Sequence, residues 1–525
     1  MVPGLHRLHR DFCAGQPKAL SFYASALQNN GWMSKPAPSA WRPELIEVLA
    51  AQNTATAAIP ALEALRQGAG IVVTGQQVGL FGGPLFTPFK AATALARARQ
   101  ATAAGKPHVA VFWLAGEDHD FAEINHVTFP NRRELRKLEY TTAPQAAVPV
   151  GGIVLGDEIA PLVEQAGELL GSSEALEALI EAWRPGKTLA QAFGEFYRKA
   201  FASQGLLVLD ASGRGMHRIG APVLRAAVER ADDLHAALLQ RDRQIQAAGY
   251  ESQVAVIADS SLLFLIEEQT GARVALKRHA PTADEPQGLW LAGRERYSTA
   301  DLLGILEAEP ERISPAALLR PVFQDYLLST SLTIGGPAEV AYFAQAAVNF
   351  DRILGRQTPI QPRFSATLIE PAIGELLRKH ELSLDRVFEE SGASLAKLLA
   401  ARAMPVEGKQ RIAAAGNAAD AELNALVEWM KRLDAGLGQS GETAANKIRY
   451  QMNRMREMTA SFELQKEASL GRHAQAIEQA LYPDAVLQER VHGAAYYFAR
   501  YGFGLADELT TLAENTCPGH MGVWL

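Results

Sequence analysis

Cysteine is almost absent from this sequence: Cys13 and Cys517, near opposite ends of 525 residues, are the only two. With no second thiol beside either, a disulfide framework and a cysteine-rich zinc site are both excluded. Any cysteine chemistry is expected to belong to a substrate. Long apolar runs are missing as well. The longest, Ile71 to Thr74 and Val109 to Ala115, fall far short of the roughly 20 residues that cross a bilayer, so no membrane span is expected. Basic blocks are also lacking. A net charge of -7 and a pI near 6.0 offer no attraction to a polyanion, and nucleic acid is not an expected partner. The stretch Met1 to Gly15 carries His6, Arg7, His9, Arg10 and Asp11 without an apolar core or a small-residue cleavage site behind them. It is not a secretory signal, and a cytoplasmic protein is expected.

What is present is ordinary globular material, 48% hydrophobic and 21% charged. The chain is too long for one core, so several units are expected. Ile71-Val72-Val73-Thr74 is a short β-branched run ended by Gly75, which reads as a buried strand. The glycine-rich stretch Gly75 to Pro84 follows, then an alanine-rich helix from Leu85 to Gln100. Gly105-Lys106-Pro107 breaks that helix, and His108 to Ala115 supplies a second strand that stops at Gly116-Glu117-Asp118-His119-Asp120-Phe121. A right-handed crossover would set both strands side by side, with both loops at the carboxyl edge of a parallel sheet, where open α/β sheets bind ligands.

Beyond Asn131, Leu138 to Thr142 and Val148 to Leu155 read as a β pair, followed by helices from Glu158 to Ser203. Leu206 to Asp210 resumes the core sheet, with the loop Ser212 to Gly215 and a helix near Gly220 to Ala248. Val254 to Asp259, Leu262 to Glu267, Val274 to Arg278 and Leu289 to Ala292 are short strand candidates. Ser331 to Ile334 runs into Gly335-Gly336-Pro337, another strand-to-loop junction. After Glu370 the chain reads as helical. Leu423, Leu426, Met430, Leu433 and Leu437, then Ala445, Ile448, Met452, Met455, Thr459 and Phe462, alternate three and four apart on either side of Gly436 to Gly441. That spacing predicts an antiparallel coiled-coil hairpin. The resulting division is a core in three parts (1–135, 204–250, 313–370), insertions at 136–203 and 251–312, a helical coiled-coil unit at 371–475, and a segment 476–525 returning to the core.

Three loops could carry chemistry. In the first, Gly75, Gln76 and Gln77 offer backbone N–H groups and two amides, suited to an anionic or hydroxyl-rich ligand. The helix after Leu85 adds its positive dipole end and Lys90. The loop matches neither a phosphate loop nor a G-x-G-x-x-G fingerprint, so NAD and flavin are not expected. In the second, Glu117, Asp118, His119 and Asp120 could hold an ammonium group, accept a proton from an attacking amine, or bind a divalent ion. His119 is the leading candidate for general base, because an imidazole titrates near neutral pH. His126 lacks the local spacing of a two-histidine zinc site, and no structural zinc is expected. In the third, Gly335, Gly336 and Glu339 stand with Tyr342, and Arg320 lies upstream; Glu339 either caps the following helix or faces a ligand.

Thr74-Gly75-Gln76-Gln77, Gly83-Pro84-Leu85, Phe112-Trp113-Leu114-Ala115-Gly116-Glu117-Asp118-His119-Asp120-Phe121 with Glu123 to His126, and Gly335-Gly336-Pro337 with Glu339 together resemble the BshC family, the cysteine-adding enzymes of bacillithiol biosynthesis. The likeness extends to Tyr482-Pro483, Leu487 to Arg490 and Tyr501-Gly502, and so spans nearly the whole chain. Ala338 and Phe343 depart from it where Gly and Trp are expected, as do Gly522 and Trp524 in the tail. The resemblance implies an α/β, Rossmann-like parallel-sheet core with connecting-peptide insertions and a coiled-coil domain that forms a homodimer. It implies amide formation between L-cysteine and the amine of glucosaminyl malate, the last step of the pathway. Thr74, Gly83, Trp113 and Gly116 join the residues above as candidates for binding substrate or nucleotide. Activation by ATP or another nucleotide with Mg is the implied energy source, although the H-x-G-H motif of related ligases is replaced here by Gly79-Leu80-Phe81-Gly82. Two other readings stand beside this one: a nucleotide-dependent ligase or transferase with another amine acceptor, and a non-catalytic coiled-coil scaffold.

Overall fold

A computed structural model describes residues 6–24, 30–34, 36–37, 39–131, 134–279, 288–390, 392–466, 468–515 and 519–525. Cys517 lies outside the described residues. The β-branched run near residue 71 forms the strand Gly70–Gln76, which pairs in parallel with His108–Leu114 on one side and Leu332–Gly335 on the other. Leu207–Asp210 and Ile360–Pro362 complete a five-stranded, all-parallel sheet. The sheet is buried on both faces, which is why its strands read as unbroken apolar runs. Val72, Phe112, Val208 and Ile334 point into one core, beneath the alanine-rich helix Phe86–Ala103. Ile71, Val73, Val111 and Leu209 point into the other. The central strand continues through Gly75 and Gln76, beyond the expected end at Thr74, because the ladder to Trp113 and Leu114 is maintained there.

Chain direction determines where a ligand can enter. After Gly70–Gln76 the chain crosses to His108–Leu114 on one side, and much later returns as Leu332–Gly335 on the other. The carboxyl edge between Gly70–Gln76 and Leu332–Gly335 is therefore a topological switch point, where two loops diverge and leave a crevice.

Several local expectations are corrected. The expected pairing of Leu138–Thr142 with Val148–Leu155 does not form. Leu135–Glu139 pairs instead with His126–Pro130, and Val150–Gly152 is a 3-10 turn. The backbone N–H groups of Val150 and Gly151 are taken by Asp118 O and Gly116 O, each at 2.7 Å, so they cannot enter a ladder. Val254–Asp259 is not a strand, because the Gln345 side chain occupies both the N–H and the C=O of Val254. The other candidates form a five-stranded antiparallel sheet with Glu295–Tyr297 and Ile313–Pro315. The helix expected near Gly220 to Ala248 is two, Arg214–Glu229 and Ala231–Ala247.

The hairpin in the helical region consists of Val406–Leu433 and Ala435–Lys466. Its turn is at Asp434, and Gly436 to Gly441 lies within the second helix rather than in the loop. Gly438 and Gly441 are small because the first helix passes close by: a Cβ on Gly441 would stand 2.7 Å from Met430 Sδ. The contact seam uses Val427, Gly438, Gly441 and Ala445, which are buried, while Leu426, Leu433, Leu437, Ile448, Met455 and Phe462 from the expected seam are exposed. The last segment returns to the sheet region. Helices Ala494–Tyr501 and Gly504–Glu514 share the core of Phe86–Ala103, and His520–Trp524 pairs in parallel with Ser365–Ile369.

Candidate active site

At the carboxyl edge, the loops after the first, second and fourth sheet strands surround a cavity of about 480 Å³, within the roughly 300–1,000 Å³ common for small-molecule sites. Gly75, Gln76 and Gln77 form one wall, Trp113, Glu117, Asp118, His119 and Glu123 a second, and Gly336, Glu339, Tyr342 and Arg320 a third. Phe264, Arg273 and Pro315 of the antiparallel sheet cover it. The first two walls are tied directly: Gln77 Nε2 donates to Asp118 Oδ2 at 2.9 Å and to Glu123 Oε2 at 3.0 Å.

Asp118 also accepts from the His119 backbone N–H at 2.7 Å. Burial alone would raise its pKa; the His119 N–H, the Gln77 amide and the Arg273 charge more than offset this and hold the carboxyl below its ordinary range. Arg273 donates to Ser314 Oγ, to Pro315 O and, at 3.2 Å, to His119 Nδ1, with its guanidinium 3.7 Å from the Phe264 ring centroid. A guanidinium can only donate. His119 Nδ1 is thus the acceptor in this contact, and the residue lines the cavity.

Lys90 lies beneath the first and third loops. Its ammonium donates to Gly75 O at 2.7 Å and Gln76 Oε1 at 3.0 Å and is paired with Glu339. Burial pulls its pKa down, and Glu339 opposes that. Glu339 Oε2 in turn accepts from Gly336 N at 2.8 Å, capping the helix Pro337–Leu354. Glu339 thus caps the helix, as one expectation had it, and it also lines the cavity. Arg320 bonds the Tyr342 hydroxyl, and burial pushes the Tyr342 pKa far up, so this phenol stays neutral.

Two family models match the chain: the N-terminal Rossmann-like domain of bacillithiol biosynthesis BshC over residues 3–364, and its C-terminal coiled-coil domain over residues 366–522. The chain belongs to the BshC family. A relative from Koribacter versatilis, named "Putative cysteine ligase BshC", is 40% identical over 99% of this chain and 97% of its own length. One of the same name from Solibacter usitatus is 34% identical over the same shares, and one from Salinibacter ruber is 31% identical over 88% of this chain and 84% of its own.

Six of the residues singled out in this BshC-family sequence lie outside the cavity, each with a local reason. Thr74 is fully buried and bonds Ile334 O within the sheet. Gly83 holds φ at +67° and accepts from Ala494 N, docking the C-terminal segment. Gly116 lets the Val150–Gly152 turn approach, since a Cβ there would stand 3.0 Å from Gly151 Cα. Asp120 caps the short helix Phe121–Ile124. His126 sits in the β pair and contacts Asn125 Oδ1. Gly335 borders a separate cavity of about 730 Å³, which is larger but contains none of the acidic loop.

Sequence reasoning missed Arg273, Phe264 and Arg363, which arrive from distant parts of the chain with no local signal. Glu123 was visible in the family-like motif but had no role assigned. Also missed was His217 on Arg214–Glu229, just past the third strand's loop. It is fully buried, and its Nε2 lies 2.7 Å from Glu117 Oε1. Among the described residues no helix is long and apolar enough to cross a membrane, and no group of three or more His, Cys, Asp or Glu converges as a metal set.

Proposed function

We propose that this chain is the ligase that joins the carboxyl of L-cysteine to the amine of glucosaminyl malate, the amide-forming last step of bacillithiol biosynthesis, in the cytoplasm. The observation that carries the reading is the Gln77–Asp118 tie, which gathers an amide-rich loop and an acid-rich loop around one cavity. Amide formation needs the carboxyl and the amine held together in one site. Arg320, Arg273 and Arg490, which border the cavity, suit carboxylate or phosphate groups. Glu117, Asp118 and Glu123 suit an ammonium group and can accept the proton that an amine loses on attack. The names of the relatives support a ligase.

A free carboxylate must be activated before an amine can attack it to form an amide, and a nucleoside triphosphate would supply that activation when bound. The arginines fit its phosphates. Magnesium bound with the nucleotide would supply further charge neutralisation of its phosphates. The homodimer belongs to the same reading. The helical hairpin exposes Leu426, Trp429, Leu433, Leu437, Ile448 and Met455, a stripe that a second copy would cover. The reaction is tested by incubating purified protein with cysteine, glucosaminyl malate and each nucleoside triphosphate in turn, and assaying the thiol product by mass spectrometry. Formation of the product with one nucleotide is expected; its absence with all of them overturns the reading.

A further inference from the structure

Glu117 of the second loop has a hydrogen-bond partner, His217, on the helix Arg214–Glu229 behind the sheet edge. Its side chain is 16% exposed and borders the cavity, while His217 behind it has no exposed side-chain surface. The ring of His217 is held on both sides. Nε2 lies 2.7 Å from Glu117 Oε1, and Nδ1 lies 3.2 Å from Pro310 O and 3.1 Å from Ile313 O. Carbonyl oxygens only accept, so Nδ1 must carry a proton directed at them. The Nε2–Glu117 contact then shares one further proton, and the ring cannot turn without leaving buried polar groups unpaired. The ring is also packed 5.4 Å from the Phe323 ring centroid.

The remaining groups around Glu117 sharpen its part. Arg273 and Arg320 bring positive charge from the covering sheet and from the helix Arg320–Leu328, and Asp118 brings negative charge from the same loop. Asp118 is already engaged by Gln77 and the His119 N–H. His119 has its Nδ1 lone pair engaged by Arg273. Glu117 Oε1 faces His217 and the residue lines the cavity, which leaves Oε2 as the oxygen open to a ligand.

We propose that His217 is a positioning residue that fixes the Glu117 carboxylate so that its second oxygen receives the proton of the attacking amine. The proposal rests on the amide-forming reading above. In that step the amine lone pair forms the C–N bond to the nucleotide-activated cysteine carboxyl. The activating group leaves with the electron pair of the bond that breaks, and the nitrogen's proton goes to Glu117. His217 touches no reactant; it acts by aiming Glu117.

The test compares His217→Phe, which keeps the ring volume and removes both polar contacts, with His217→Gln, which can restore one donor to Glu117, and with Glu117→Gln. Thiol product formation should lose about a hundredfold in kcat in His217→Phe with KM changed less than about threefold. His217→Gln should recover at least about tenfold of that loss. Glu117→Gln should be at least as impaired as His217→Phe, and the double variant no worse than Glu117→Gln alone. Equal kcat in His217→Phe and wild type, or a loss additive with that of Glu117→Gln, would overturn the proposal. Proton NMR reads the pairing without any reaction: a low-field imidazole N–H signal should be present in wild type, absent in His217→Phe and displaced in Glu117→Gln. If wild type shows that signal yet forms no product, the reaction reading fails and the pairing stands. If the signal is absent, the pairing fails whatever the activity.

Discussion

Gln77 and Asp118, 41 positions apart in sequence, meet across 2.9 Å at the mouth of the sheet, the amide donating to the carboxylate. The two residues sit on loops that leave adjacent parallel strands, so their meeting is a consequence of the crossover between them. Removing the amide with Gln77→Leu takes one donor from Asp118 and one from Glu123. A bond to a charged acceptor contributes about 1.5–3 kcal/mol, so product formation is expected to fall roughly tenfold to a hundredfold. The melting temperature should fall too, by roughly a few degrees, because the contact with Asp118 is partly buried although that with Glu123 is exposed. Steady-state kinetics beside a thermal melt checks both.

The buried pair Arg363–Glu489 carries a prediction about stability. Arg363 Nη1 and Nη2 reach the two carboxylate oxygens at 3.0 and 2.6 Å, with 3% and 2% of the two side chains exposed. Glu489→Gln leaves a guanidinium charge buried without its counter-ion, at a cost of about 3–5 kcal/mol. Chemical denaturation should show a clearly lower midpoint, and a change under about 1 kcal/mol would mean that the pair does not behave as a buried one.

Stability should depend on pH through His217. Burial by itself would lower its pKa, but the Glu117 carboxylate and the carbonyls of Pro310 and Ile313 prevail, and the net direction is upward. The folded protein thus binds this proton more tightly than the unfolded chain, whose value is about 6.5. The stabilisation is complete below that pH and is lost as pH rises through the raised folded value. The difference in unfolding free energy between wild type and His217→Phe should therefore be largest in mildly acidic solution and shrink on the alkaline side. A gap that widens with rising pH would contradict the assignment.

Charge placed on the outer stripe of the hairpin should separate the subunits. Ile448 and Met455 are 46% and 61% exposed, so Ile448→Glu with Met455→Glu costs the monomer little and opposes burial against a second copy. Sedimentation should show a dimer for wild type and a monomer for the variant at micromolar concentration. A monomeric wild type would remove the dimer from the proposed function.

Much of the frame was legible locally. A β-branched run ended by glycine, an alanine-rich helix and a second apolar run specify strand, helix and parallel strand through propensity and the handedness of the crossover. The two loops at the carboxyl edge follow from that alone. The hairpin was legible as a hairpin but its seam was not. Spacing identifies apolar positions without saying which stripe closes inward, and here the close approach of two helices selected Gly438, Gly441 and Ala445 and left the larger side chains outside.

By itself, the order of residues determined the strand exits, the acidic loop between Gly116 and Phe121 and the long helices, because each depends on neighbours within a few positions. Only the tertiary structure decided that Lys90 is occupied by Gly75, Gln76 and Glu339, that Arg273 engages His119, and that His217 stands behind Glu117. Those pairings join segments up to 249 positions apart, as Lys90 and Glu339 show. A hydrogen bond reads distance and direction in space, and no local pattern encodes either across such a span.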